Sequence, residues 1–224
     1  MNNKDVITAL KKAREGAKKR KFSQTIELII NFRGLNLKNP EQQLDFYMPI
    51  KHPWKELKVC GIVGGELLEE SKKSLDTTVF SDELGSYSDK KKIKKLAKAH
   101  DYFVAQADLM PQVATTFGRV FGPIGKMPNP KAGCVVPPNA NLEALKQKLN
   151  KTINVSVKTV PLLQLGMGKE ESKDEDMAED IMSIYDQVIH HLPGEKQNIK
   201  SVYVKLTMGK PERIEWAIKT KRKN

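Results

Sequence analysis

Cysteine is nearly missing from this 224-residue chain, where Cys60 and Cys134 stand alone, with no CxxC pair and too few thiols for a zinc site. Both read as small apolar residues, buried in a reducing compartment. Aromatic residues make up 6% of the chain, which argues against a surface built mainly on stacked bases. No apolar run approaches the roughly 18 residues of a membrane-spanning helix, and the start MNNKDVITALKKAREG lacks the apolar core of a secretory signal. A soluble, cytoplasmic protein with no membrane partner is expected.

Catalytic signatures are missing as well. A phosphate loop needs GxxxxGK[ST], and Gly125-Lys126, Gly168-Lys169 and Gly209-Lys210 have neither the earlier glycine nor the following hydroxyl residue. Gly61-Ile-Val-Gly64-Gly65 follows a strand and opens a helix, yet it is not GxGxxG and reads as a tight strand-to-helix turn. His52, His100, His190 and His191 show no metal spacing and read as surface or capping residues. The acidic group Glu170, Glu171, Asp174, Glu175, Asp176, Glu179 and Asp180 opens a helix and reads as a solvated face. No catalytic residue, metal or cofactor is expected; the competing class, a nucleotide-binding Rossmann-like enzyme, lacks its phosphate loop.

What is present is positive charge. Lys and Arg number 39 against 27 Asp and Glu, for a net charge of +12 and a pI near 9.5, a balance that favours polyanionic partners. The charge gathers at Lys11 to Lys21, at Lys90 to Lys98, and at Lys219 to Lys223 after Lys210 and Arg213. On these residues alone the partner is RNA or DNA, without a choice between them.

Val6, Leu10, Ala13 and Ala17 predict a basic amphipathic helix. Residues 24–33 and 43–50 read as antiparallel strands beside it. From residue 57 the rhythm changes to strands at 57–63, 77–80 and 102–105, alternating with helices at 66–73, 89–99 and 110–117. A glycine- and proline-rich loop over 118–138 and a helix at 141–149 follow. β character returns at 153–158, 162–165 and 200–206 around a helix at 174–191. The predicted class is α/β: an α+β domain built from both chain ends, residues 1–56 and 151–224, with a three-layer Rossmann-like α/β domain, 57–150, inserted. Two connections between domains make a hinge.

Three segments then carry a resemblance. Gly118-Arg-Val-Phe-Gly-Pro-Ile-Gly-Lys-Met-Pro-Asn-Pro-Lys-Ala-Gly133 resembles the glycine-proline loop of the universal mobile-stalk protein of the large ribosomal subunit, the L-one family. Ser201-Val-Tyr-Val-Lys-Leu-Thr-Met-Gly209 is similar to that family's last strand and closing turn, and Lys21-Phe-Ser-Gln-Thr-Ile-Glu27 to the start of its first strand. The segments stand in family order over nearly the whole chain. Ile124 departs from the arginine common there and Cys134 from threonine, while Lys210-Pro211 resembles archaeal or eukaryotic members, with an archaeal source favoured.

The resemblance implies a ribosomal protein without catalytic activity, monomeric when free. It implies binding to the large-subunit ribosomal RNA at the stalk beside the exit site for deacylated tRNA, help in releasing that tRNA, and repression of translation through the protein's own mRNA. It carries the RNA contact onto Lys21, Phe22, Thr25, Glu27, Ser201, Thr207, Met208 and Gly209. Hydroxyls and a carboxylate suit ribose 2′-OH groups and base edges, and Phe22 and Met208 offer apolar contact. Each of these residues also has an ordinary reading as strand or turn, and Phe22 as core.

Overall fold

In the computed structural model, which describes residues 1–87 and 89–215, Ile26, Leu28, Ile30 and Phe32 alternate with the half-exposed Thr25, Glu27, Ile29 and Asn31 in strand β1 (Thr25–Phe32) and are buried. Helix α1 (Asn3–Glu15) precedes it, with Val6, Ala9, Leu10 and Ala13 as its buried stripe. The chain continues through β2 (Leu44–Pro49), β3 (Val59–Val63), α2 (Leu68–Ser74), β4 (Thr77–Phe80), α3 (Lys90–Ala99), β5 (Tyr102–Gln106) and α4 (Met110–Ile124). Then come β6 (Val135–Val136), α5 (Leu142–Asn150), β7 (Thr152–Val157), β8 (Leu162–Lys169), α6 (Asp174–His191), β9 (Ile199–Leu206) and β10 (Glu212–Arg213). The contacts divide into two compact units, Met1–Trp54 with the chain from Ile153 onward, and Lys55–Thr152.

In the first unit the sheet runs β10-β9-β1-β8, and β1 is antiparallel to both neighbours. Ile26 lies opposite Leu206 and Gly168, and Ile30 opposite Val202 and Leu163, so the apolar residues of three strands share one face. Helices α1 and α6 cover that face, with Leu10, Ile181, Ile184 and Val188 fully buried among the strand residues. The expected pairing of residues 24–33 with 43–50 does not occur. Strands from the far end of the chain flank β1 on both sides, and β2 pairs with β7 instead. The connection from Phe32 to Leu44 makes a 3-10 turn at Pro40–Gln42 and is too long to fix a tight hairpin.

The second unit has the parallel sheet β4-β3-β5-β6. Every residue of β3 is buried, as a strand covered on both faces requires. α3 packs with α4, and α2 with α5, supplying the helical layers. Asp89 caps α3 by accepting from the Lys91 backbone N–H at 2.8 Å.

Two further expectations are corrected, and one is sharpened. Residues 118–124 are not loop: α4 runs on to Ile124 because Phe117, Val120 and Phe121 continue the buried stripe begun by Val113, and this packing outweighs the poor propensity of Gly118 and Gly122. The helix stops at Gly125, whose φ of 71° is left-handed, and Lys126 Nζ then donates to the carbonyls of Ala97 and His100 at 2.7 and 2.5 Å, closing the end of α3. Of the two readings of His100, surface or cap, the structure has the cap: it ends α3 and is buried, its ring nitrogens 3.1 Å from Leu96 O and 2.8 Å from Thr77 Oγ1. Asp180 is not solvated. It is 2% exposed, and its two carboxylate oxygens accept from the backbone N–H groups of Lys51 and His52, fastening the end of β2 to α6.

Candidate nucleic-acid interface

The start of β1 and the end of β9 meet at one end of the antiparallel sheet, although they are 182 residues apart in the chain. The Thr207 hydroxyl donates to the Thr25 carbonyl at 3.1 Å and its oxygen accepts from the Thr25 N–H at 3.2 Å, while Thr207 N–H donates to the same carbonyl at 3.0 Å. The next residue is held by a side chain: Met208 N–H donates to Gln24 Oε1 at 3.1 Å. Gly209 N–H then closes the turn on the Leu206 carbonyl at 2.8 Å. Gln24 is 1% exposed, and its carbonyl accepts from Glu170 N–H at 2.8 Å, so the clasp also joins the segment after β8.

This clasp leaves apolar side chains outside. Phe22 is 55% and Met208 59% exposed, and neither belongs to the core. Lys18, Lys19, Arg20 and Lys21 are all exposed just before Phe22, and Lys169, which pairs with Thr25 from β8, and Lys210 add charge at the same end. The cluster Lys219 to Lys223 lies outside the described residues.

Glu27 stands one pleat further along the same face. Its Oε2 accepts from Gln164 Nε2 at 2.7 Å and lies 3.7 Å from Lys205 Nζ, so its carboxylate is held between β8 and β9. Ser201 is set apart from the others. It sits opposite Asn31 at the far end of β9, about 20 Å along the strand from Thr207; it is 5% exposed and its hydroxyl accepts from Asn31 Nδ2 at 3.1 Å. Gly209 does not adopt a left-handed φ. A Cβ there would lie 3.2 Å from the Leu206 Cβ, so the tightness of the turn, not backbone handedness, is what favours glycine.

Two residues of this end escaped the sequence reading. Gln24 falls on the inward phase of Ile26, Leu28 and Ile30, and a polar residue in that phase was the available signal. Trp54 carries no such signal. It lies on β8, its indole N–H donating to the Gly166 carbonyl at 3.1 Å, and a Cβ at Gly166 would lie 3.1 Å from the indole and 3.3 Å from Thr25 Cγ2.

In the second unit, the backbone N–H of Gly64 at the end of β3 already has a side-chain partner. Gln106 Oε1 accepts from it at 2.9 Å, at the strand-to-helix turn that a dinucleotide fold uses for its phosphate. Burial pushes the Cys60 thiol up to about 12 and the Cys134 thiol up to about 11, so both stay protonated at neutral pH. Among the described residues, no group of three or more His, Cys, Asp and Glu side chains is placed to hold a metal ion, and no helix is long and apolar enough to cross a membrane.

The ribosomal protein L1p/L10e family matches residues 10–210. The chain is similar to the large ribosomal subunit protein uL1 of Nanoarchaeum equitans, 43% identical over 212 residues, which cover 93% of this chain and 98% of that protein. It is 40% identical to the uL1 of Methanothermococcus thermolithotrophicus over 217 residues, 96% of this chain and 100% of the other. For the uL1 of Methanocaldococcus jannaschii the identity is 35% over 211 residues, 93% and 94% of the two chains. Agreement of this extent, over nearly the whole chain and with these archaeal proteins, places the chain in the ribosomal protein L1p/L10e family as an archaeal-type protein of the large ribosomal subunit.

Proposed function

We propose that this chain is a structural, non-catalytic RNA-binding protein that grips the large-subunit ribosomal RNA of the stalk with the β1/β9 end of its first unit. Lys21, Phe22, Thr25, Glu27, Thr207, Met208 and Gly209 form the contact, with Gln24 holding the turn in place from beneath. The observation that carries the reading is the clasp: two remote segments are hydrogen-bonded into one edge on which Phe22 and Met208 stand exposed among lysines. Apolar contact and hydroxyl groups suit unstacked bases and ribose, and the lysines suit phosphate. Ser201 is left out of this set, because its buried hydroxyl is already bonded to Asn31.

The same edge would bind a similar structure in the protein's own mRNA and so repress translation, since one surface cannot hold both RNAs at once. Assistance in releasing deacylated tRNA from the exit site belongs, on this reading, to the inserted unit. A non-catalytic role rests on the family and agrees with the two thiols being held protonated and with the Gly64 N–H being bonded to Gln106.

Binding of the stalk RNA fragment, a base-substituted fragment and duplex DNA at one fixed salt concentration tests the reading. The intact fragment should bind most tightly, and part of that advantage should survive high salt, because counterion release accounts only for the phosphate contacts. Comparable affinity for all three would reduce the protein to a general polycation binder.

A further inference from the structure

The charge on α3 is not explained by the helix that bears it. Lys90, Lys91 and Lys92 fill its first turn, with no acidic residue there beyond the capping Asp89. That end is the positive pole of the helix, where added cations are unfavourable. Lys94, Lys95 and Lys98 extend the charge along the exposed side, while Ile93 and Ala97 hold the helix to the core. None of these lysines is ion-paired among the described residues.

The charged end of α3 borders an open groove within the second unit. One section, about 300 Å³, is lined by Lys90 and Arg119 with Tyr87, Thr115 and Thr116. An adjoining section of about 450 Å³ shares both threonines and adds Gln112. Among the described residues, neither section is lined by a carboxylate. Thr115 donates its hydroxyl proton to the Pro111 carbonyl at 3.0 Å, which leaves its oxygen to accept from a ligand.

We propose that this groove is a second polyanion site, taking the sugar-phosphate backbone of an RNA strand. Lys90 and Arg119 meet phosphate, Thr115 accepts from a ribose 2′-OH, Thr116 and Gln112 offer further polar contact, and the α3 lysines continue the track beyond the groove. Two observations favour a strand over a single small anion: the groove has two sections that share residues, and the cations, unpaired among the described residues, run along a helix instead of converging on one point. The acceptor and amide lining favours RNA over DNA, because the 2′-OH is the group that tells them apart. The proposal rests on the reading of this chain as an RNA binder, but it does not depend on the β1/β9 edge.

The test titrates the isotopically labelled full chain with a short oligouridine at fixed salt and follows backbone amide shifts. Gly85, Thr115, Thr116 and Arg119 should move. Lys90→Gln with Arg119→Gln should weaken oligouridine binding several-fold and leave the affinity for the stalk RNA fragment nearly unchanged. Lys148→Gln with Lys151→Gln makes the same change of net charge on exposed lysines away from the groove, and should have little effect. Met208→Ala should leave the groove shifts in place while weakening the stalk RNA complex, so failure of the first surface and of the second are read separately. Equal effects from the two charge-matched pairs, equal binding of oligodeoxyuridine, or shifts confined to residues 21–27 and 205–210 would overturn the proposal.

Discussion

Replacing Met208 by alanine separates a contact surface from a core turn, because the two assign its cost to different measurements. Met208 is 59% exposed, so less than half of a side chain whose full burial is worth about 1.5–3 kcal/mol is covered. Truncation should therefore cost folding about 1 kcal/mol at most, partly offset because alanine has no rotamer entropy to lose. For a chain of this size that is a fall in Tm of no more than about 4 °C. An exposed anchor that becomes buried against RNA is a different case, since its removal typically costs about 1–3 kcal/mol of binding, or about 5- to 150-fold in Kd. Calorimetry of the free protein beside filter binding of the stalk RNA fragment measures both. Unchanged affinity would remove Met208 from the interface, and a fall in Tm beyond about 6 °C would show that the turn belongs to the core.

Thr207→Val should lower both Tm and affinity, because its hydroxyl bonds the Thr25 N–H and carbonyl; the loss is about 1–2 kcal/mol of stability, and an unchanged Tm would show that the clasp holds without it. Gly209→Ala should fold with a loss below about 1 kcal/mol, since its φ is not left-handed and the Leu206 Cβ at 3.2 Å must give by only a few tenths of an ångström. Its RNA affinity should fall several-fold, and normal binding in a filter assay would mean that no RNA backbone passes close to this residue. At Asp101, burial raises the pKa, but hydrogen bonds from the Lys55 ammonium and the Lys58 backbone N–H outweigh it, and the net shift is downward from 3.8. Its stabilisation is therefore present above about pH 3.8 and lost as the pH falls through the lower folded value. Thermal melts from pH 6 to pH 2.5 should show a shallower acid decline for Asp101→Asn than for the parent chain, and parallel curves would refute the assignment.

Much of the proposed interface was legible because the motifs of the family resemblance span it: the structure brings Lys21 to Glu27 and Thr207 to Gly209 to one edge. What could not be read was the partnership of each side chain. Ser201 lies in the same motif as Thr207, but six residues of extended strand carry it to the buried end of the sheet. Gln24 looks like an unremarked polar residue until the Met208 N–H is found on its amide. The glycines at 118 and 122 misled for a local reason. Propensity called a loop, while the apolar spacing of Val113, Phe117, Val120 and Phe121 carried the helix through them.

By itself the sequence determined the two periodicities, and through them the kind of structure on each stretch. Alternation in Thr25–Phe32 makes a half-covered strand, and the unbroken apolar run at Val59–Val63 makes one covered on both faces. Charge and composition pointed to a polyanionic partner without choosing between RNA and DNA. Only the tertiary structure decided which strands became neighbours. The faces of β1 are set by its own residues, but its edges are backbone N–H and C=O groups common to every residue type. Those edges were taken by β8 and β9, from more than a hundred residues away, and not by β2.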